Sequence, residues 1–179
     1  MRETYKMTIA GLERELPRFA VSDKLDIAAF ILFGDVEITV AAAEQLLAKV
    51  PEFDYILTPE AKSIPLAYEM ARQSGKPYVV ARKGIKVYMG NPVGVEVKSI
   101  TTANVQKLYL GDEECERLKG KKVLIVDDVI STGESLTAVR KLVEAAGAIE
   151  AASCSVLAEG DAADRGDIIF LEKLPLFFK

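Results

Sequence analysis

Val123-Leu-Ile-Val-Asp-Asp-Val-Ile-Ser-Thr-Gly-Glu-Ser135 is the stretch that decides the fold. Its first four residues are apolar and three of them are β-branched, the pattern of a strand covered on both faces in a parallel sheet. The chain then turns through two carboxylates, Asp127 and Asp128, and a Ser131-Thr132-Gly133 run into an amphipathic helix predicted over 133–146. In an open α/β sheet, ligands bind beyond the carboxyl ends of the strands. Here that end offers acceptors for hydroxyl groups, and the helix start offers N–H groups to an anion. A phosphorylated sugar satisfies both halves.

Ser131-x-x-Glu134 also fits a capping box, which alone would make the segment a well-capped helix after a core strand. The acid pair resists that reading. Adjacent carboxylates beside a buried strand repel each other and lose hydration, a cost left uncompensated unless cations or hydroxyls meet them.

Working outward, Tyr55–Thr58 reads as a short buried strand and Glu60-Ala61-Lys62-Ser63 as a second strand-to-helix loop. A helix over 64–74 closes at Gly75, and Pro77–Ala81 is the next strand, which makes a β-α-β unit with a right-handed crossover. Arg82-Lys83-Gly-Ile-Lys86 stands directly at that strand's end; taken alone it is a solvated basic loop. Segments 93–100 and 105–110 alternate as the arms of a hairpin, and the small polar tip 99–104 has the composition of a lid. The remaining expectations are a helix over 1–16 stopped by Pro17, an alanine-rich helix within 37–50, a charged connector over 111–121, and strands over 149–157 and 167–171.

The composition narrows the function. With 179 residues, half of them hydrophobic and 28% charged, the chain reads as one compact domain. Its net charge of −4 gives no support to a nucleic-acid or anionic-membrane surface. There is no histidine, and Cys115 and Cys154 are the only cysteines, so a disulfide framework, the usual zinc sites and Ser-His or Cys-His nucleophile pairs are all excluded. The early apolar run 27–33 is too short for a membrane span or signal, which leaves a cytoplasmic protein as the expectation. A P-loop hydrolase fails because no G-x-x-x-x-G-K-[ST] occurs. A receiver domain fails because its acidic pair belongs early in the chain.

Residues 123–135 resemble the phosphoribosyl-pyrophosphate signature of the type I phosphoribosyltransferases, in which apolar residues lead to two acids and a Thr-Gly phosphate loop. The resemblance runs from about residue 36 to 157 and is nearest to the purine, adenine-like branch. It implies an open, mainly parallel twisted sheet with helices on both faces, a hood drawn from residues 1–35 and a flexible lid over 84–110. It also implies a homodimer and Mg²⁺ held mostly through substrate and water.

By the same resemblance, Asp127 and Asp128 face the ribose hydroxyls and orient the metal, while Ser131, Thr132, Gly133, Glu134 and Ser135 cradle the 5-phosphate. Glu60, Ala61, Lys62 and Ser63 with Arg82, Lys83 and Lys86 meet the pyrophosphate, and Ser99 and Thr101 belong to the catalytic lid. The base pocket draws on Phe19, Phe30 and Phe33 from the hood, on Val129 and Ile130, and on Glu159, which would accept from an exocyclic amine. The lid lacks the carboxylate common in adenine-specific members, since Thr102, Ala103 and Asn104 supply none. The implied partners are phosphoribosyl pyrophosphate and a purine, adenine on the strength of Glu159. Alternatives are a xanthine or hypoxanthine/guanine enzyme and a regulator that senses the donor without turning it over.

Overall fold

The computed structural model describes residues 3–98 and 105–179, so the expected lid tip with Ser99 and Thr101 lies outside the described residues. In chain order the elements are β1 (Thr4–Ile9), β2 (Leu12–Ser22), β3 (Leu25–Ala28), α1 (Val36–Leu47), β4 (Tyr55–Pro59), α2 (Ile64–Ser74), β5 (Tyr78–Ala81), β6 (Val93–Lys98), β7 (Val105–Leu110), α3 (Asp112–Leu118), β8 (Lys122–Ile130), α4 (Glu134–Ala145), β9 (Ile149–Glu159), β10 (Ile169–Leu174) and β11 (Phe177–Phe178). Five strands form a parallel sheet in the order β10-β9-β8-β4-β5. Side chains alternate across a strand. Ile56, Leu124, Val126, Cys154 and Val156 therefore pack on the α1 and α2 layer, whereas Leu57, Val79, Val123 and Ile125 pack on α4 and α3. Both faces are closed by helices, the expected α/β architecture.

The first 28 residues differ from expectation. In place of a helix over 1–16, β1 and β2 form an antiparallel hairpin in register from Thr4↔Pro17 to Ile9↔Leu12. The alternation of Tyr5, Met7 and Ile9 has a period of two, and Ala10 and Gly11 both take positive φ, at 52° and 82°, as a two-residue primed turn requires. Pro17 therefore ends no helix; it lies in β2 opposite Thr4, at the end of the hairpin pairing, and its carbonyl accepts from the Ala29 N–H at 2.9 Å. β3 extends this sheet, and β11, at the apolar C-terminal tail, closes it by pairing Phe177 with Asp26. This four-stranded sheet is thus built from both ends of the described chain.

Three further boundaries move. The alanine-rich helix starts at Val36, because Asp35 caps it by accepting from the Ile38 N–H at 3.2 Å. The charged connector holds a short helix, α3, whose first turn carries Asp112, Glu113 and Glu114 where the helix dipole favours acids. Most consequentially, β8 does not end before the acid pair but continues through it to Ile130, with Asp127 opposite Ser155. Both carboxylates therefore lie within the strand end itself and not in the loop beyond it.

Candidate active site

At the carboxyl end of β8, Asp127 opens on a cleft of about 140 Å³ lined by Val129, Ile130 and the turn Ser131–Leu136, with Gln106 of β7 as the facing wall. Asp128 lies beside it, and the Lys62 ammonium approaches its Oδ2 to 3.0 Å. Asp128 is almost fully buried, at 4% side-chain exposure, and Lys62 is 55% exposed. The contact is an ion pair without hydrogen-bond geometry, since Oδ2 has no hydrogen-bond donor. Asp127 Oδ1 accepts the Asp128 N–H at 2.9 Å. Burial, reinforced by the neighbouring Asp128 charge, holds the Asp127 carboxyl well above the usual carboxylate range.

The turn after β8 is not the expected capping box. The N-cap of α4 is Gly133 at φ +81°, with no side-chain cap, and Ser131 Oγ instead accepts the Thr132 N–H at 2.7 Å. A capping box needs Ser131 at the N-cap position, but the chain uses two more residues to complete its turn. The N–H groups of Ser135 and Leu136 fall in the first helical turn, where no intrahelical acceptor exists, and they border the cleft. An anion is the natural partner for such groups.

The opposing half assembles at the ends of β4 and β5, which are paired as far as Pro59↔Ala81. Glu60 Oε2 accepts from the Lys83 N–H at 2.9 Å and from Arg82 Nε at 3.3 Å. The Lys83 N–H, then Arg82 and Lys86, hold the Glu60 carboxyl below its usual range. Glu60, Arg82, Lys83 and Lys86 thus form one cluster, and Arg82 is fixed to the lid arm by backbone bonds to Tyr109 of 2.8 and 2.9 Å. Lys83 also borders an open cleft with Gln106 and Lys107 of that arm. The N–H groups of Ala61, Lys62 and Ser63 make no hydrogen bond among the described residues. Ser63 is an exception to the expected role: its hydroxyl is buried, accepting from Thr58 at 2.7 Å and donating to the Pro59 carbonyl at 3.1 Å.

The expected base contacts divide. Glu159, at the end of β9, is brought to the site: Ser131 hydrogen-bonds its carboxylate, Lys62 is within electrostatic reach, and burial raises its pKa above the ordinary value. Phe30 is core on the α1 side, so its ring is not free for a base, and Ile130, packed on the α4 side, reaches the cleft only at its wall. Phe19 and Phe33 stay exposed, at 38% and 54%, and neither lines the cleft at Asp127. Gln106, Lys107 and Arg165 are site neighbours that sequence reasoning missed. The first two are hidden in an alternating hairpin arm, and the third lies 30 residues beyond the motif with no local signal.

Among the described residues, no three His, Cys, Asp or Glu side chains cluster as a metal cage. The acid pair, with a buried Asp128 oxygen that accepts no hydrogen bond, fits a hard divalent ion that takes one or two protein carboxylates and keeps water and substrate oxygens as its other ligands.

Residues 36–173 match the model of the phosphoribosyl transferase domain. The chain belongs to that family. Over 114 residues it is 38% identical to the hypoxanthine/guanine phosphoribosyltransferase of Methanothrix thermoacetophila, covering 64% of this chain and 56% of that protein. It is also 31% identical over 113 residues to the purine biosynthesis transcriptional repressor PurR of Bacillus subtilis, covering 63% of this chain and 39% of the repressor. The chain spans about half the length of the curated phosphoribosyltransferases it matches. Among solved structures, the adenine phosphoribosyltransferase of Thermoanaerobacter pseudethanolicus superposes with a TM-score of 0.66 at 26% identity, covering 79% of this chain and 84% of that one. The adenine phosphoribosyltransferase of Saccharomyces cerevisiae, complexed with an imino-altritol bisphosphate and adenine, shares the fold at a TM-score of 0.69 and 21% identity, covering 88% and 92%. No helix among the described residues is long and apolar enough to cross a membrane.

Proposed function

We propose that the chain transfers the 5-phosphoribosyl group of phosphoribosyl pyrophosphate to a ring nitrogen of a purine, releasing pyrophosphate. The observation that carries this reading is the pair of facing half-sites. Asp127 with the Ser131–Ser135 turn suits a ribose 5-phosphate, and the Glu60–Ser63 loop with Arg82, Lys83 and Lys86 suits a pyrophosphate.

The work of the residues follows from the chemistry. Cleavage of the glycosidic C–O bond gives an oxocarbenium-like transition state, and negative charge grows on the departing pyrophosphate. Unpaired N–H groups and cations fixed at two strand ends stabilise that charge without having to reorganise. Asp127 orients the ribose hydroxyls, and Lys62 holds the Asp128 charge until the donor arrives. No protein nucleophile is required. Asp127 and Asp128 would hold a Mg²⁺ ion, mostly through water and substrate, and it would supply charge neutralisation for the departing pyrophosphate.

Adenine is the proposed base, because Glu159 presents an acceptor beside Ser131 that matches an exocyclic amine. A 6-oxopurine is the second reading, favoured by the names of the curated relatives and by Lys62, a cation near Glu159 that could meet an oxygen. Steady-state kcat/KM for adenine, hypoxanthine, guanine and xanthine with the donor and Mg²⁺ tests both: adenine preference supports Glu159 as the selector, and hypoxanthine or guanine preference overturns that role. Donor binding without any pyrophosphate release would favour a sensing regulator.

A further inference from the structure

Behind the phosphate turn stands an arginine outside the family motif. The α-carbon of Gly133 is so close to Arg165 that a β-carbon built there would meet Nη1 at 2.5 Å. Adding a carbon–carbon bond of about 1.5 Å puts Nη1 within about 4 Å of the Gly133 α-carbon. Gly133 is therefore required twice, once for its φ of +81° and once to admit a guanidinium.

Arg165 is held in a defined orientation. Its Nε and Nη2 donate to Asp167 Oδ1 and Oδ2 at 2.9 and 2.7 Å, a bidentate pairing that leaves Nη1 at the turn. Asp167 is in turn bound by Arg140 of α4 at 2.7 Å, and Arg140 is anchored to Glu150 of β9 at 3.0 Å. The chain of contacts ties the loop after β9 to the body of the helix whose N-terminus forms the phosphate turn. Two of the three N–H-bearing nitrogens of Arg165 are spent on Asp167. Among the described residues its third has no protein acceptor.

We infer that Arg165 is a positioning residue for the 5-phosphate: fixed by Asp167, it buttresses the Gly133 turn and leaves a guanidinium N–H donor behind the N–H groups that bind the phosphate. This rests on the phosphoribosyltransferase reading. It predicts an effect confined to one end of the two-ended substrate, because the pyrophosphate half-site is built from β4 and β5 and shares no residue with the Arg165 network.

The test is equilibrium binding of two probes, ribose 5-phosphate and inorganic pyrophosphate with Mg²⁺, to the full chain and to Arg165→Ala and Arg165→Lys, with thermal melts of each. Arg165→Ala should weaken ribose 5-phosphate roughly tenfold and pyrophosphate less than twofold. Arg165→Lys, which keeps the charge but not the bidentate hold, should recover part of the loss and covers the case in which the alanine variant does not fold. Unchanged ribose 5-phosphate binding in the lysine and alanine variants overturns the inference, as does an equal loss for both probes. If the unaltered chain binds neither probe, the functional reading fails first and takes this inference with it; if it binds both and the variants match it, Arg165 alone is wrong.

Discussion

Asp127→Asn should separate stability from function. The substitution keeps an acceptor for the Asp128 N–H, so the hydrogen bond of 2.9 Å can persist, and it removes one of two neighbouring negative charges. Asp128 is almost fully buried and the two carboxyls are in contact, so at about 4 Å and an effective dielectric of about 20 the repulsion amounts to about 4 kcal/mol. Lys62, 3.0 Å from Asp128 and half in solvent, offsets part of it. Each net gain of about 1 kcal/mol raises the melting temperature of a domain this size by about 2–4 °C. The sign depends on pH. Because Asp127 is held above its usual range, the native state binds its proton more tightly than the unfolded chain does. Native stability is then fullest below the unfolded carboxylate pKa of about 3.9 and is lost as pH rises through the native pKa. Melts in metal-free buffer should show the smallest difference between variant and parent near pH 3.5, where the parent carboxyl is protonated in both states, and a growing advantage for the variant as pH rises. Turnover should fall by about a hundredfold or more, the scale of losing one electrostatic group from a site. A variant that melts at or below the parent at pH 8, or with the same gap at both pH values, refutes the reasoning about the acid pair.

Lys83→Ala should raise the KM for phosphoribosyl pyrophosphate about fivefold and leave that for the base within twofold, as read from initial rates with each substrate varied. Equal effects would take Lys83 out of the pyrophosphate half-site. Glu159→Gln should lower kcat/KM for adenine more than for hypoxanthine in the same assay; a uniform loss would make Glu159 a support for Ser131 and Lys62 instead. Asp35→Ala removes both the α1 cap at Ile38 and the 2.6 Å pairing with Arg14, and should cost about 1–2 kcal/mol in chemical denaturation with the m-value unchanged.

The parallel sheet was legible in the sequence because its strands are short runs of Val, Ile and Leu that no amphipathic helix would contain, and because Gly75 and Gly147 end helices with positive φ. The hood was not. Residues 1–16 interleave charge and apolar groups at spacings that suit either period, and the decision rests on Ala10-Gly11, whose turn conformation is invisible until its strands pair. The loops proposed as half-sites were legible as loops for the same reason as the sheet: each directly follows a recognisable strand. What stayed hidden is tertiary. The placing of Asp127 and Asp128 inside a strand depends on β8 running on past its apolar residues. The Lys62–Asp128 pair joins positions 66 residues apart, and Arg165 reaches Gly133 across a loop that carries no motif.

The central claim is that one substrate spans the Asp127 cleft and the Glu60–Lys83 cluster and is cut between them. Product stoichiometry tests it most directly: the full chain is mixed with phosphoribosyl pyrophosphate, Mg²⁺ and a purine, and pyrophosphate and nucleoside monophosphate are quantified together over time. The account predicts equal amounts of both products, formed only when donor and purine are present together. Pyrophosphate released without a nucleotide, or donor bound with neither product formed by any of the four purines, would contradict it.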